Sequence, residues 1–183
     1  PTMNLFAIVS CVLASGQTAF ERHDIDDFPG GYQVAVADIN CDSRPDVIAL
    51  STQADRVDWY QNPSWHRRAV ARTARNIDLA AHDLDGDGRL DVVVRHGQTT
   101  VFLRDGAGSW VPVPVSFREK EGLAIGDLDR DGDPDIAING FWLENPMPEQ
   151  APDVTPWTEH TFDASWPEDA KISIADVDAN GRP

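Results

Sequence analysis

The chain has 183 residues and carries 31 acidic against 15 basic side chains, a net charge of −16 with a pI near 4.4. No run of Lys or Arg and no basic patch breaks this negative field, which argues against nucleic acid or an anionic membrane as partner. Cys11 and Cys41 are the only cysteines, too few for a disulfide framework.

The N-terminus comes first. Leu5 to Ala14 is an apolar run of ten residues, and small residues from Ser15 to Ala19 follow it. This reads as an export signal over residues 1–19, cleaved before Phe20, with no basic residue ahead of it. A run of ten is too short to cross a bilayer as a helix, which needs about 20 residues, so no transmembrane span is expected.

The next stretch, Gln33 to Ala37, reads as a strand and leads into an acidic loop: Asp38, Asn40, Asp42, Arg44 and Asp46 occupy positions 1, 3, 5, 7 and 9. The same loop recurs with Asp83, Asp85, Asp87, Arg89 and Asp91, and again with Asp127, Asp129, Asp131, Asp133 and Asp135. A fourth copy has Asp176, Asp178, Asn180 and Arg182. Carboxylates that converge in this way repel, by roughly 1 kcal/mol per pair at 4 Å in water and more when partly buried. A hard divalent cation reverses the sign. Calcium takes six to eight oxygens in flexible geometry, which alternating Asp or Asn side chains and one backbone carbonyl at position 7 can supply. Position 6 must turn sharply, and Gly88, Gly132 and Gly181 allow it, whereas Ser43 predicts a strained or weaker first site. Cys41, at position 4, is expected to be a spacer that points outward.

An EF-hand loop begins the same way but ends with a bidentate Glu at position 12. Here that position holds Ala49, Val94 and Ile138. The loops lead instead into Val47 to Leu50, Val92 to Val94 and Ile136 to Ile138, short β-branched runs that read as buried strands.

The loops begin at 38, 83, 127 and 176, a period of 44 to 49 residues. Phe20, Trp65, Trp110 and Trp157 keep the same beat, and Gln61-Asn62-Pro63 matches Glu144-Asn145-Pro146 as strand ends. Periods of this length mark solenoids, arrays or propellers. In the first unit Gln33–Ala37, Val47–Ser51, Val57–Gln61 and Trp65–Ala71 give four antiparallel strands, the content of a propeller blade. The strand before each loop alternates large and small residues, as in Val34 and Val36 against Ala35 and Ala37, or Leu123 and Ile125 against Ala124 and Gly126. Small residues suit a crowded axis, and the large ones are expected to fill the space between blades. Ile172 to Ala175 is expected to repeat this strand in the fourth unit.

These motifs resemble the FG-GAP or VCBS-type repeat family, whose hallmark DxDxDGxxD loop is complete at Asp83 to Asp91 and Asp127 to Asp135. The resemblance covers nearly everything after Phe20 and implies an all-β fold: a β-propeller of four-stranded antiparallel blades, usually seven, with calcium in some loops. About three to four blades would be present, in units near 20–64, 65–109, 110–156 and an incomplete 157–183. Because the fourth loop stops before its ninth position, residues 20–183 are expected to be part of a longer propeller, with a bare sheet edge that invites association.

Two functions fit such a scaffold. The first is an exported calcium-binding platform for a protein or carbohydrate partner, secreted, periplasmic or on the cell surface. The alternative is the propeller portion of a carbohydrate-active enzyme of lyase or sugar dehydratase type. No nucleophile elbow, phosphate-binding glycine loop or HExxH motif favours catalysis. Spacing assigns the carboxylates to metal before a glycosidase pair. His82 stands just before the second loop, where the other units place Ala37, Gly126 and Ala175. It is read as structural.

Overall fold

The computed structural model describes residues 5–7, 10–14, 17–116, 121–146, 156–167, 169–181 and 183. The described residues contain strands and no helix, so none is long and apolar enough to cross a membrane. Four short strands open the chain: β1 (Leu5–Ala7), β2 (Ser10–Ala14), β3 (Gln17–Glu21) and β4 (Asp24–Asp26). β1 pairs with β4, and β2 with β3.

Three four-stranded antiparallel sheets follow. Sheet one holds β5 (Gly31–Ala37), β6 (Asp46–Ser51), β7 (Val57–Gln61) and β8 (His66–Ala71) in sequence order. Sheet two holds β9 (Asp78–His82), β10 (Asp91–Arg95), β11 (Thr99–Arg104) and β12 (Trp110–Ser116), and sheet three holds β13 (Ala124–Gly126), β14 (Asp135–Ile138), β15 (Phe141–Glu144) and β16 (Thr158–Thr161). Each is a meander of blade form, and in each sheet an acidic loop, the first, second and third in turn, joins the first strand to the second.

Alternation along the buried strands explains how the sheets stack. Side chains on a strand point to opposite faces in turn, so a wholly apolar strand serves two cores at once. In β10, Val92 and Val94 join Ile48, Leu50, Trp59 and Phe102 in a core between sheets one and two. Val93 faces the other way and joins Val101, Leu103, Ile136 and Ile138 between sheets two and three. Each fully buried Val contributes roughly 1.5 to 3 kcal/mol. The innermost strands approach across sheets, β5 with β9 and β9 with β13. Gln33 on β5 bonds both backbone groups of Leu79 on β9, receiving its N–H at 3.1 Å and donating to its carbonyl at 3.2 Å. At the strand ends away from the acidic loops, Asp78 accepts from Gly122 N and Lys171 Nζ, both at 3.0 Å. That carboxylate ties three successive units together.

Two expectations about the inner strands are corrected. Ala35 and Ala37 pack against the core between sheets one and two, and Val34 against Phe28, Val47 and Tyr60, but Val36 is 65% exposed. The small cluster around Phe28 covers one end of that face and leaves the other open. Residues 172–175 form no strand, because no described segment pairs with them. The small residue of the alternation has a clear role in β13, where a Cβ on Gly126 would lie 3.1 Å from Ile174 of the next unit.

Candidate metal centre

Every acidic loop is wound by its own side chains. The position 1 carboxylate accepts the N–H groups of positions 5 and 6: Asp38 from Asp42 (3.0 Å) and Ser43 (2.7 Å), Asp83 from Asp87 (3.1 Å) and Gly88 (2.9 Å), Asp176 from Asn180 (3.0 Å) and Gly181 (2.7 Å). Asp127 accepts instead from Arg130 at 2.6 Å. Position 5 caps position 7 in turn, with Arg44, Arg89 and Asp133 donating to Asp42, Asp87 and Asp131 at 2.8 to 3.1 Å. Asp and Asn suit these places because a short side-chain oxygen reaches a backbone N–H two residues on.

The curl needs two left-handed residues, not one. Position 6 has φ of 66° at Ser43, 83° at Gly88, 103° at Gly132 and 80° at Gly181. Position 4 is also left-handed, at Cys41 (59°), Gly86 (71°), Arg130 (75°) and Ala179 (58°). Cys41 is exposed, as a spacer should be, with its Sγ 3.7 Å from the Gly88 carbonyl of the second loop. Ser43 adopts the glycine conformation at a cost of roughly 1 to 2 kcal/mol. Ser43→Gly should therefore stabilise the protein by about 1 kcal/mol and raise Tm by about 2 to 4 °C. An unchanged or lower midpoint in thermal melts would remove strain as the distinction of the first loop.

Position 9 differs in kind from the exposed positions. Asp46, Asp91 and Asp135 open the second strand of each sheet and are 0% exposed. One oxygen of each accepts the N–H of its own loop's position 2: Ile39 at 3.2 Å, Leu84 at 2.9 Å, Leu128 at 2.8 Å. The other accepts the N–H at the start of the turn after the third strand, or at its last residue: Asn62 and Arg104 at 2.8 Å, Asn145 at 3.0 Å. The carboxylate thus buckles the acidic loop to the far end of its hairpin.

The carboxylates converge most closely in the second and third loops. Asp83, Asp85 and Asp91 each present an oxygen within 4.8 Å of the others, as do Asp127, Asp129 and Asp135, and such groups could hold a metal ion. No equivalent trio of acids occurs at the first or fourth loop among the described residues. Asn40 stands in the first loop where Asp85 stands in the second, and its Oδ1 is buried without a hydrogen-bond partner. Asp87 is not in the trio of the second loop and forms an ion pair with the Arg89 guanidinium. Arg182 lies outside the described residues.

The electrostatics have the sign of unneutralised sites. Burial, opposed by the N–H bonds of Arg104 and Leu84 and aided by Asp85 and Asp87, pushes the Asp91 carboxyl up to about 6. Burial does the same to Asp135, also to about 6, with Asp129 and Asp131 adding to it. Asp133 is pushed to about 7 by desolvation and then by the charges of Asp131, Asp135 and Asp129. Its side chain therefore belongs to the third cluster, and its Oδ1, like Asn40 Oδ1 in the first loop, is buried without a hydrogen-bond partner. At neutral pH both clusters hold charge that their own N–H donors do not balance.

A model of the FG-GAP-like repeat matches residues 38–94 and 83–138. The chain belongs to the FG-GAP-like repeat family. Each matched segment runs from the first Asp of one loop to the strand that follows the next, so the FG-GAP-like repeat spans the junction between two sheets. No curated protein matches the chain. Asn62 and Arg104, inside the matched residues, and Asn145, just beyond them, are the site residues that the sequence reading passed over. The recurrence of Asn-Pro pointed to two of them, but as strand ends.

Proposed function

We propose that the chain forms blades of an exported calcium-binding β-propeller whose ions are structural and whose faces serve as a binding platform. The observation that carries it is the convergence of Asp83, Asp85 and Asp91, and of Asp127, Asp129 and Asp135, with donor oxygens within 4.8 Å of one another. In the second loop Asp83, Asp85, Asp87 and Asp91, with the Arg89 carbonyl, would hold the ion. In the third, Asp127, Asp129, Asp131 and Asp135 would do so with the Asp133 carbonyl. The first would use Asp38, Asn40, Asp42, Asp46 and the Arg44 carbonyl, where the buried Asn40 Oδ1 gains the partner it lacks. Asp176, Asp178, Asn180 and Arg182 would begin a fourth.

A bound divalent ion supplies positive charge and oxygen coordination, so its binding free energy adds to folding. Extracellular modules hold calcium with Kd of about 10⁻⁴ to 10⁻³ M, which fills such sites outside a cell and leaves them empty in the cytosol. Export over residues 1–19, leaving a domain from residue 20 onward, fits that affinity range. A protein or carbohydrate partner would meet the loops of one face.

Calcium titration tests the proposal. At about ten times Kd each site should stabilise the protein by about 1.4 kcal/mol, seen as a rising urea midpoint. Asp85→Ala should remove one site's share of that rise at little cost to the calcium-free chain: it gives up an exposed bond from the Asp87 N–H at 3.2 Å but also removes a carboxylate whose charged form is disfavoured by burial and by the Asp87 charge. A midpoint flat across millimolar calcium, or an Asp85→Ala response equal to that of the native chain, would sink the reading.

A further inference from the structure

Two side chains reach from one unit into the acidic loop of the unit before it. Arg104, the last residue of β11, donates from Nη1 to the Ile39 carbonyl at 2.6 Å. Asn145, just beyond β15, donates from Nδ2 to the Leu84 carbonyl at 2.9 Å. Ile39 and Leu84 are both position 2 of their loops, and both are 0% exposed. Their N–H groups are already held by Asp46 and Asp91 of their own loops. The residue at position 2 is therefore pinned on both sides, one pin coming from the next sheet. A peptide group is planar, so fixing the carbonyl of position 2 also fixes the N–H and the direction of position 3. Position 3 is Asn40 or Asp85, one with a buried unpartnered oxygen and the other in the converging trio.

We propose that Arg104 and Asn145 are positioning residues for the acidic loop of the preceding unit, so that the first and second loops bind their ion tightly only when the next sheet is docked. The proposal rests on the reading of these loops as calcium sites. Arg104 gives the cleaner test, because its side chain makes the crossing bond while its backbone N–H holds its own loop, whereas Asn145 Nδ2 also donates to the Pro134 carbonyl of its own loop at 3.0 Å. Its guanidinium also lies over the Trp59 ring at 5.5 Å, so the substitution should keep the stem.

Calcium titration of the full chain, followed by the amide NMR signals of Ser43, Gly88 and Gly132, reads the three loops separately. Arg104→Met should raise the calcium midpoint at Ser43 about tenfold, the scale of one charge-assisted hydrogen bond, and leave Gly88 and Gly132 within about twofold. Arg104→Lys, which restores a cationic donor, should recover part of the loss. Asn145→Ala should move the Gly88 midpoint and leave Ser43 in place. The proposal is overturned if Arg104→Met leaves the Ser43 midpoint where it was, or if all three midpoints rise together as general destabilisation would require. If none of the three amides of the unsubstituted chain responds to calcium, the calcium reading itself fails and takes the positioning role with it.

Discussion

Asp46→Ala is expected to lower the unfolding free energy of the calcium-free chain by about 4 kcal/mol, the largest effect of any single change in the loops. The Asp46 side chain is fully buried and accepts from Ile39 N at 3.2 Å and Asn62 N at 2.8 Å. Truncation leaves these two N–H donors without their acceptor, and each unsatisfied buried donor costs roughly 1 to 3 kcal/mol. Against a total stability of about 5 to 15 kcal/mol, that loss brings a repeat unit close to unfolding. Asp42→Ala in the same loop is the control: Asp42 is exposed, and water can replace it at both of its donors, the Arg44 N–H and Asn40 Nδ2. Its calcium-free cost should stay below about 1 kcal/mol. Asp46→Asn should fall between, since the amide keeps one acceptor but turns an NH₂ group toward the other N–H. Urea melts of the calcium-free variants decide it. An Asp46→Ala midpoint equal to that of Asp42→Ala would mean that position 9 is only a ligand and not a buckle.

That dual role shows which parts of the fold were open to sequence reasoning. Periodic Asp residues and β-branched runs such as Val92 to Val94 announce strand identity and order, because each signal is local and recurs, the loop in four copies and the run after it in three. The bounds of β6, β7, β10 and β14 follow to within one or two residues. The buckle partners escape because they sit at no fixed offset. Asn62, Arg104 and Asn145 lie 16, 13 and 10 residues beyond Asp46, Asp91 and Asp135. The difference comes from hairpin lengths: β6 ends at Ser51 and β7 begins at Val57, whereas β14 ends at Ile138 and β15 begins at Phe141. Register in space is kept while spacing in sequence is not. Arg104 also replaces Asn at its place, so no motif search would align it. The left-handed residue at position 4 was hidden for a different reason, since Cys41, Arg130 and Ala179 carry no glycine to announce it. There the surrounding bonds to the Asp at positions 1 and 3 override local preference.

The second large effect is a reversal of the pH dependence of stability by calcium. Asp91 and Asp135 have native-state pKa values raised to about 6 from an ordinary 3.8, and Asp133 to about 7. In the calcium-free chain the native state therefore binds more protons than the unfolded one between these limits, and stability falls as pH rises. The contribution is fully present below about pH 4 and is lost as pH passes through 6 for Asp91 and Asp135, and through 7 for Asp133. Each of the two buried groups accounts for up to about 3 kcal/mol. Calcium inverts the slope, because its ligands must be deprotonated and its stabilisation grows over the same interval. Calcium-free protein should thus have a higher urea midpoint at pH 5 than at pH 7.5, whereas protein in millimolar calcium should show the opposite order. Neutralising substitution separates the two sources. Asp133→Asn should flatten the calcium-free slope near pH 7 while leaving most of the calcium-dependent gain, since only the backbone carbonyl of that residue is placed as a ligand. Parallel pH curves with and without calcium would show that the buried carboxylates are satisfied by their N–H donors alone, and that these loops need no ion to close.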